Sequence, residues 1–156
     1  MERCLMTEEF VTKSIVSYLI EHGWEIISFD FPQSGTGIMI HPNESSNYKN
    51  RESIIPDIVA VKEDRCLFFE NKDHFSMSDF LKINSLRTSD KYSNGISRLL
   101  EGHTVSLILY GVGIPTEKFR GRAIKNASLV DFLVGVKQDG NVSLLINNSA
   151  CEEAIL

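Results

Sequence analysis

The sequence predicts a mixed fold, α/β or α+β, in which helices flank a mixed β-sheet with an αβββαβ core. Three observations carry this. An apolar pattern of helical period near the N-terminus is followed by three short runs with strand character. Two further helical stretches precede another apolar run. The chain then closes on two apolar runs separated by a tight-turn signal. Such an alternation suits one sheet with helices packed on it. A length of 156 residues suits one domain spanning 1–156.

Taken in order, Thr7 is placed to cap a helix over about 8–22, ended by Gly23. Val11, Ile15, Tyr18 and Leu19 recur at helical spacing and mark its inner face. A strand is expected over Trp24 to Phe31, closed by Pro32. The segment QSGTG (33–37), an apolar patch at 38–40 and an aperiodic polar loop at 41–53 follow. Strands are expected at 54–61 and 66–71, joined by KEDR. Ser76 caps a helix to about Leu86, and a second helical stretch runs from about 90 to 100. TVSLILY (104–110) reads as a strand covered on both faces, followed by a turn at GVGIP (111–115) and a basic segment, EKFRGRAIK. FLVGV and VSLLI flank QDGN, and Asp-Gly suits a hairpin turn.

Composition narrows the function classes. The chain is 42% apolar and 24% charged, ordinary for a globular protein. No run of 18 apolar residues exists, so no membrane span is expected. The opening residues lack the basic-then-apolar pattern of a secretory leader. Cys4, Cys66 and Cys151 are three in number and lack metal-type spacing, so they read as free thiols of a reducing, cytoplasmic compartment. The net charge of −5 argues against bulk attraction to nucleic acid and leaves room for a local basic surface. The histidines at 22, 41, 74 and 103 have no zinc-like spacing, and Gly-x-Ser-x-Gly is absent.

The chemistry concentrates in IPDIVAVKEDRCLFFENKD (55–73). If Lys62 faces Arg65 across an antiparallel pair, Asp57 faces Glu70. Directly opposed residues share a face, with Cβ atoms about 4.5–5.5 Å apart. Lys72 lies on the same face as Glu70 because side chains alternate along a strand. Two carboxylates this close repel each other and raise each other's proton affinity. A hard divalent cation relieves the conflict and, like other catalytic metals, acidifies bound water and stabilises charge on a phosphoryl group. Lys72 is then positioned to orient or deprotonate the attacking water, or to offset phosphate charge. The competing reading is a surface hairpin with a solvated ion pair between Glu70 and Lys72 or Lys62.

Pro56-Asp57, a short strand pair and Glu70-Asn71-Lys72, preceded by a helix, resemble the PD-(D/E)XK nuclease superfamily over roughly residues 7 to 110. The resemblance implies a restriction-endonuclease-like fold and metal-dependent hydrolysis of DNA, of restriction or defence type. It implies Mg²⁺, with Mn²⁺ able to substitute, on Asp57, Glu70 and the carbonyl of Asn71. Lys72 would assist the water. A Glu on the first helix would help hold the metal, with Glu8 preferred and Glu9 the fallback. Glu8 precedes Val11 by three and Ile15 by seven, which places it on the inner face. A structure-selective repair nuclease or junction resolvase on the same fold is the first alternative. A non-catalytic binding or assembly subunit is the second.

The other candidates are contacts to nucleic acid. QSGTG reads as a plain loop or as backbone donors for a phosphate beside the cleft. In the loop at 41–53, His41, Tyr48, Lys49 and Arg51 are candidates for grooves, phosphates or stacking. Lys82 and Arg87 are candidates to face the scissile phosphate. Lys118, Arg120, Arg122 and Lys125 form the densest basic run, suited to phosphates or to an acidic companion protein. Cutting two strands needs two sites, so a homodimer is expected.

Overall fold

The computed structural model describes residues 6–44 and 52–149. One six-stranded sheet has strands in the spatial order β1 to β6: β1 (Glu25–Phe29), β2 (Ile58–Lys62), β3 (Arg65–Asn71), β4 (Leu107–Pro115), β5 (Phe132–Val136) and β6 (Val142–Asn147). The first three form an antiparallel meander, β3, β4 and β5 run parallel, and β6 returns antiparallel. Helix α1 (Glu8–Glu21) packs on one face, and α2 (Met77–Thr88), α3 (Ser93–Leu99) and α4 (Arg122–Lys125) belong to the other. The fold is a mixed sheet flanked by helices, with element order α1-β1-β2-β3-α2-α3-β4 in its first part. Among the described residues no helix is long and apolar enough to cross a membrane.

Local chemistry sets the boundaries. The Thr7 side chain accepts from the Phe10 N–H at 3.0 Å and opens α1, while Gly23 takes a φ of 87° that lets the chain leave it. Val11, Ile15 and Leu19 are fully buried against Ile58, Ala60, Leu67 and Phe69. The alternate residues Val59, Val61, Cys66 and Phe68 face the opposite layer with Phe80 and Ile83 of α2. Both faces of β2 and β3 are thus covered, which explains their nearly continuous apolar character.

The β2–β3 register pairs Lys62 with Arg65 and Ile58 with Phe69, as expected. The turn has no glycine, so Glu63 itself takes a positive φ of 56°. Three expected boundaries are corrected. β1 is shorter at both ends, at Glu25–Phe29. β2 begins at Ile58 rather than Ile54, because Ile54 pairs with Ile40 in an isolated bridge and Pro56 has no N–H to extend the ladder. GVGIP (111–115) is not a turn but the second half of β4, paired with β5 throughout and with β3 as far as Gly113. Its glycines serve packing. A Cβ at Gly111 would meet the Phe132 ring at 2.3 Å, and one at Gly113 would meet Asn71 Oδ1 at 2.4 Å.

Candidate active site

The parallel strands β3 and β4 end together, with the Lys72 N–H donating to the Gly113 carbonyl at 3.0 Å. At this edge Asp57 enters β2 and Glu70 leaves β3. The Asp57 N–H donates to the Phe69 carbonyl at 3.0 Å, and the Asn71 N–H donates to Asp57 Oδ2 at 2.7 Å. The two carboxyl groups lie close enough for each to act on the proton affinity of the other. Burial, then the adjacent Glu70 charge, pushes Asp57 up to about 8, against the pull of the Asn71 N–H. Glu70 is raised as well, again mainly by burial, and Lys82 opposes that shift. The pair is therefore a buried acid dyad in which Asp57 keeps its proton at neutral pH.

Around the dyad stand two ammonium groups, each on its own carboxylate. Lys72 Nζ lies 2.8 Å from Glu8 Oε1, across the strand end on α1. This contact raises the Lys72 pKa, so the group is an ammonium at neutral pH. Glu9 is turned to solvent, 3.6 Å from Lys13. Lys82 Nζ lies 2.7 Å from Glu70 Oε1, satisfying it by charge although off the ideal hydrogen-bond direction. Lys82 thus sits on the dyad itself rather than free for a phosphate. The Asn71 main chain belongs to the site, while its side chain crosses to the other face and donates to Thr12 Oγ1 at 3.1 Å.

The basic candidates divide. Arg87 donates to the Ser128 carbonyl at 3.1 Å and lies 3.6 Å from Asp131, so it braces the end of α2 and is corrected from the expected phosphate-facing role. The segment with Lys118, Arg120 and Arg122 follows the C-terminal end of β4, the same sheet edge as Glu70. Arg122 stacks over Phe75 at 5.0 Å, Arg120 and Lys125 are exposed, and Lys118 is half-buried. Lys49 and Arg51, with Tyr48, lie outside the described residues. His41 is bonded to Ser53 Oγ at 2.8 Å, and His74 to Asp73 Oδ1 at 2.6 Å.

Two acidic residues escaped the sequence reading. Asp79, in the first turn of α2, is half-buried, and its Oδ2 is buried without a hydrogen-bond partner. Burial raises its pKa, with Lys72 and then Lys82 opposing. Asp30 follows β1, and its N–H donates to the Asp57 carbonyl at 2.8 Å. Since Phe29 pairs with Ile58, Asp30, Asp57 and Glu70 occupy one row across three strands and share a face. The Asp30 carboxylate accepts from Ser34 Oγ at 2.9 Å, which anchors the QSGTG loop beside Asp57. Among the described residues no group of three or more His, Cys, Asp or Glu side chains is gathered so as to hold a metal ion.

No protein-family model, no curated protein and no solved structure matches the chain.

Proposed function

We propose that the chain is a metal-dependent DNA endonuclease of the PD-(D/E)XK type, with Asp57 and Glu70 as the ligands of one Mg²⁺. The observation that carries this reading is the buried Asp57–Glu70 dyad at the C-terminal end of β3, with Lys72 beside it. Two buried carboxyls that keep a proton for want of a better cation are a donor set suited to Mg²⁺, which binds through one or two carboxylates and keeps several waters. The Asn71 carbonyl, at the strand end, is a further candidate ligand. When bound, the ion would acidify a water and stabilise charge on the scissile phosphate.

The residues of the chain do the rest. Asp57 keeps its position through the Asn71 N–H, and Glu70 through burial. Glu8 holds the Lys72 ammonium at the strand end, where its charge faces an incoming phosphate. Arg120, Arg122 and Lys118 offer phosphate contacts along the same edge. A homodimer would set two such sites on the two strands.

The test is incubation of purified protein with supercoiled, linear and branched DNA in Mg²⁺ and in EDTA. Nicking in Mg²⁺ alone is expected, lost in Asp57→Ala and Lys72→Ala while both variants keep a cooperative melt. Cleavage at the wild-type rate in both variants refutes the assignment. Preference for branched over linear substrate would turn the reading to a junction resolvase.

A second reading has one observation in its favour. Both ammonium groups of the site are already matched to carboxylates, Lys72 to Glu8 and Lys82 to Glu70. A non-catalytic binding subunit would need no more than that. Metal-dependent nicking excludes it.

A further inference from the structure

Lys82 is in an unusual place for a residue of a metal site. The Glu70 side chain is only 7% exposed, and its Oε1 carries the Lys82 ammonium at 2.7 Å. A hard dication and an ammonium compete for that oxygen, because they repel each other and because Mg²⁺ demands close, near-octahedral oxygen contacts. Lys82 has somewhere else to go. Asp79 precedes it by three on α2, and residues so spaced are neighbours on a helix surface. Asp79 Oδ2 is buried with no hydrogen-bond partner, and the charges of Lys72 and then Lys82 already act on it. A flexible four-carbon stem can carry the ammonium from one carboxylate to the other.

The other cations nearby are committed. Lys72 is held by Glu8 at 2.8 Å, and Lys91, which lines the same surface groove as Lys82, is held by Glu52 at 3.1 Å.

We propose that Lys82 is a resident counter-ion occupying the cation position on Glu70, and that its transfer to Asp79 admits the divalent ion, so that these two residues set the metal affinity of the site. The inference rests on the reading of Asp57 and Glu70 as metal ligands. It makes Lys82 and Asp79 positioning residues, acting on Glu70 and on each other.

The experiment measures Mn²⁺ binding to the full chain by the resonance of free Mn²⁺, with thermal melts to confirm folding. Lys82→Met is expected to bind Mn²⁺ about tenfold more tightly, a change of about 1.4 kcal/mol. Lys82→Gln serves as a second variant and is expected to bind more tightly too. Asp79→Asn is expected to weaken binding severalfold, because the ammonium then has only Glu70. In the Lys82→Met background Asp79→Asn is expected to weaken binding less than it does in wild type, because only the direct attraction of the Asp79 charge for the ion is then lost; this non-additivity is what a merely structural role would not produce. Lys91→Met is expected to bind as wild type.

Wild-type affinity or weaker in both Lys82 variants overturns the inference, as does an Asp79→Asn penalty as large without Lys82 as with it. If Mn²⁺ binding is lost in Asp57→Asn and Glu70→Gln while these results fail, only the inference falls. If those two variants bind Mn²⁺ as wild type does, the site reading falls and the inference with it. Binding that appears only after Lys82 is replaced supports the inference.

Discussion

Replacing Asp57 by Asn should make the protein more stable at pH 8 and leave its stability unchanged near pH 4. The Asp57 carboxyl rises from its ordinary 3.8 to about 8 on folding, first through burial and then through the Glu70 charge. Between those values the folded chain binds more protons than the unfolded one. Stability from this group is therefore fully present below about pH 4 and is lost as pH rises toward 8. One pH unit corresponds to about 1.36 kcal/mol, so the roughly four units from pH 4 to pH 8 set a ceiling of about 5.4 kcal/mol. Water entry at the strand end and the nearby Lys82 charge should reduce this to about 2 kcal/mol, or roughly 4–8 °C in Tm for a domain of this size. Asn is the informative substitution. Its amide oxygen still accepts from the Asn71 N–H, its NH₂ can donate to Glu70, and it carries no charge to repel. The assay is a pair of melts, wild type and Asp57→Asn, in EDTA at pH 4 and pH 8. A variant less stable than wild type at pH 8, or one whose advantage is the same at both pH values, refutes the buried-dyad reasoning.

Three other substitutions separate structure from function. Gly113→Ala should destabilise the domain by roughly 2 kcal/mol or more in a denaturant melt, because the added Cβ would lie 2.4 Å from Asn71 Oδ1 and 2.5 Å from Ile15 Cδ1. Arg87→Ala should cost about 1 kcal/mol of stability through the lost Ser128 and Asp131 contacts and leave plasmid nicking unchanged. Arg120→Glu with Arg122→Glu should weaken binding to all DNA sequences alike and lower the salt slope by about one per lost phosphate contact, measured by fluorescence anisotropy from low to moderate salt.

The local signals were legible. Thr7 and Ser76 cap the helices they were expected to cap, because a hydroxyl before an apolar-periodic run satisfies orphan N–H groups in any context. The Asp57–Glu70 pairing followed from one hairpin register, which sequence arithmetic can reach. What depended on tertiary context was not legible. GVGIP carries the composition of a turn, yet it lies in a strand whose glycines make room for Phe132 and Asn71. Asp30 joins the carboxylate row only through the β1–β2 register, which a bulge between Ile26 and Ser28 shifts by one. Asp79 and Lys82 reach the dyad through the placement of α2 on the sheet, which spacing along the chain does not encode. Arg87, five residues beyond Lys82 on the same helix, is claimed by Asp131 instead.

That placement of α2 also explains why Glu70 needs a positive partner. β3 is covered on both faces, so a carboxylate at position 70 can meet water only near the strand end, and its side chain is 7% exposed. Burial alone would keep it neutral. Three partners can relieve it: the proton held by Asp57, the Lys82 ammonium, and a divalent ion. They compete for the same oxygens, so their effects are linked and the linkage is reciprocal. Lower pH should weaken metal binding, metal should displace the Asp57 proton, and loss of Lys82 should strengthen both of the remaining partners. A dyad that merely braced the fold would show the first effect of pH on stability but no response of metal affinity to Lys82. The two kinds of measurement together therefore distinguish a site built for an ion from a buried pair that only tolerates one.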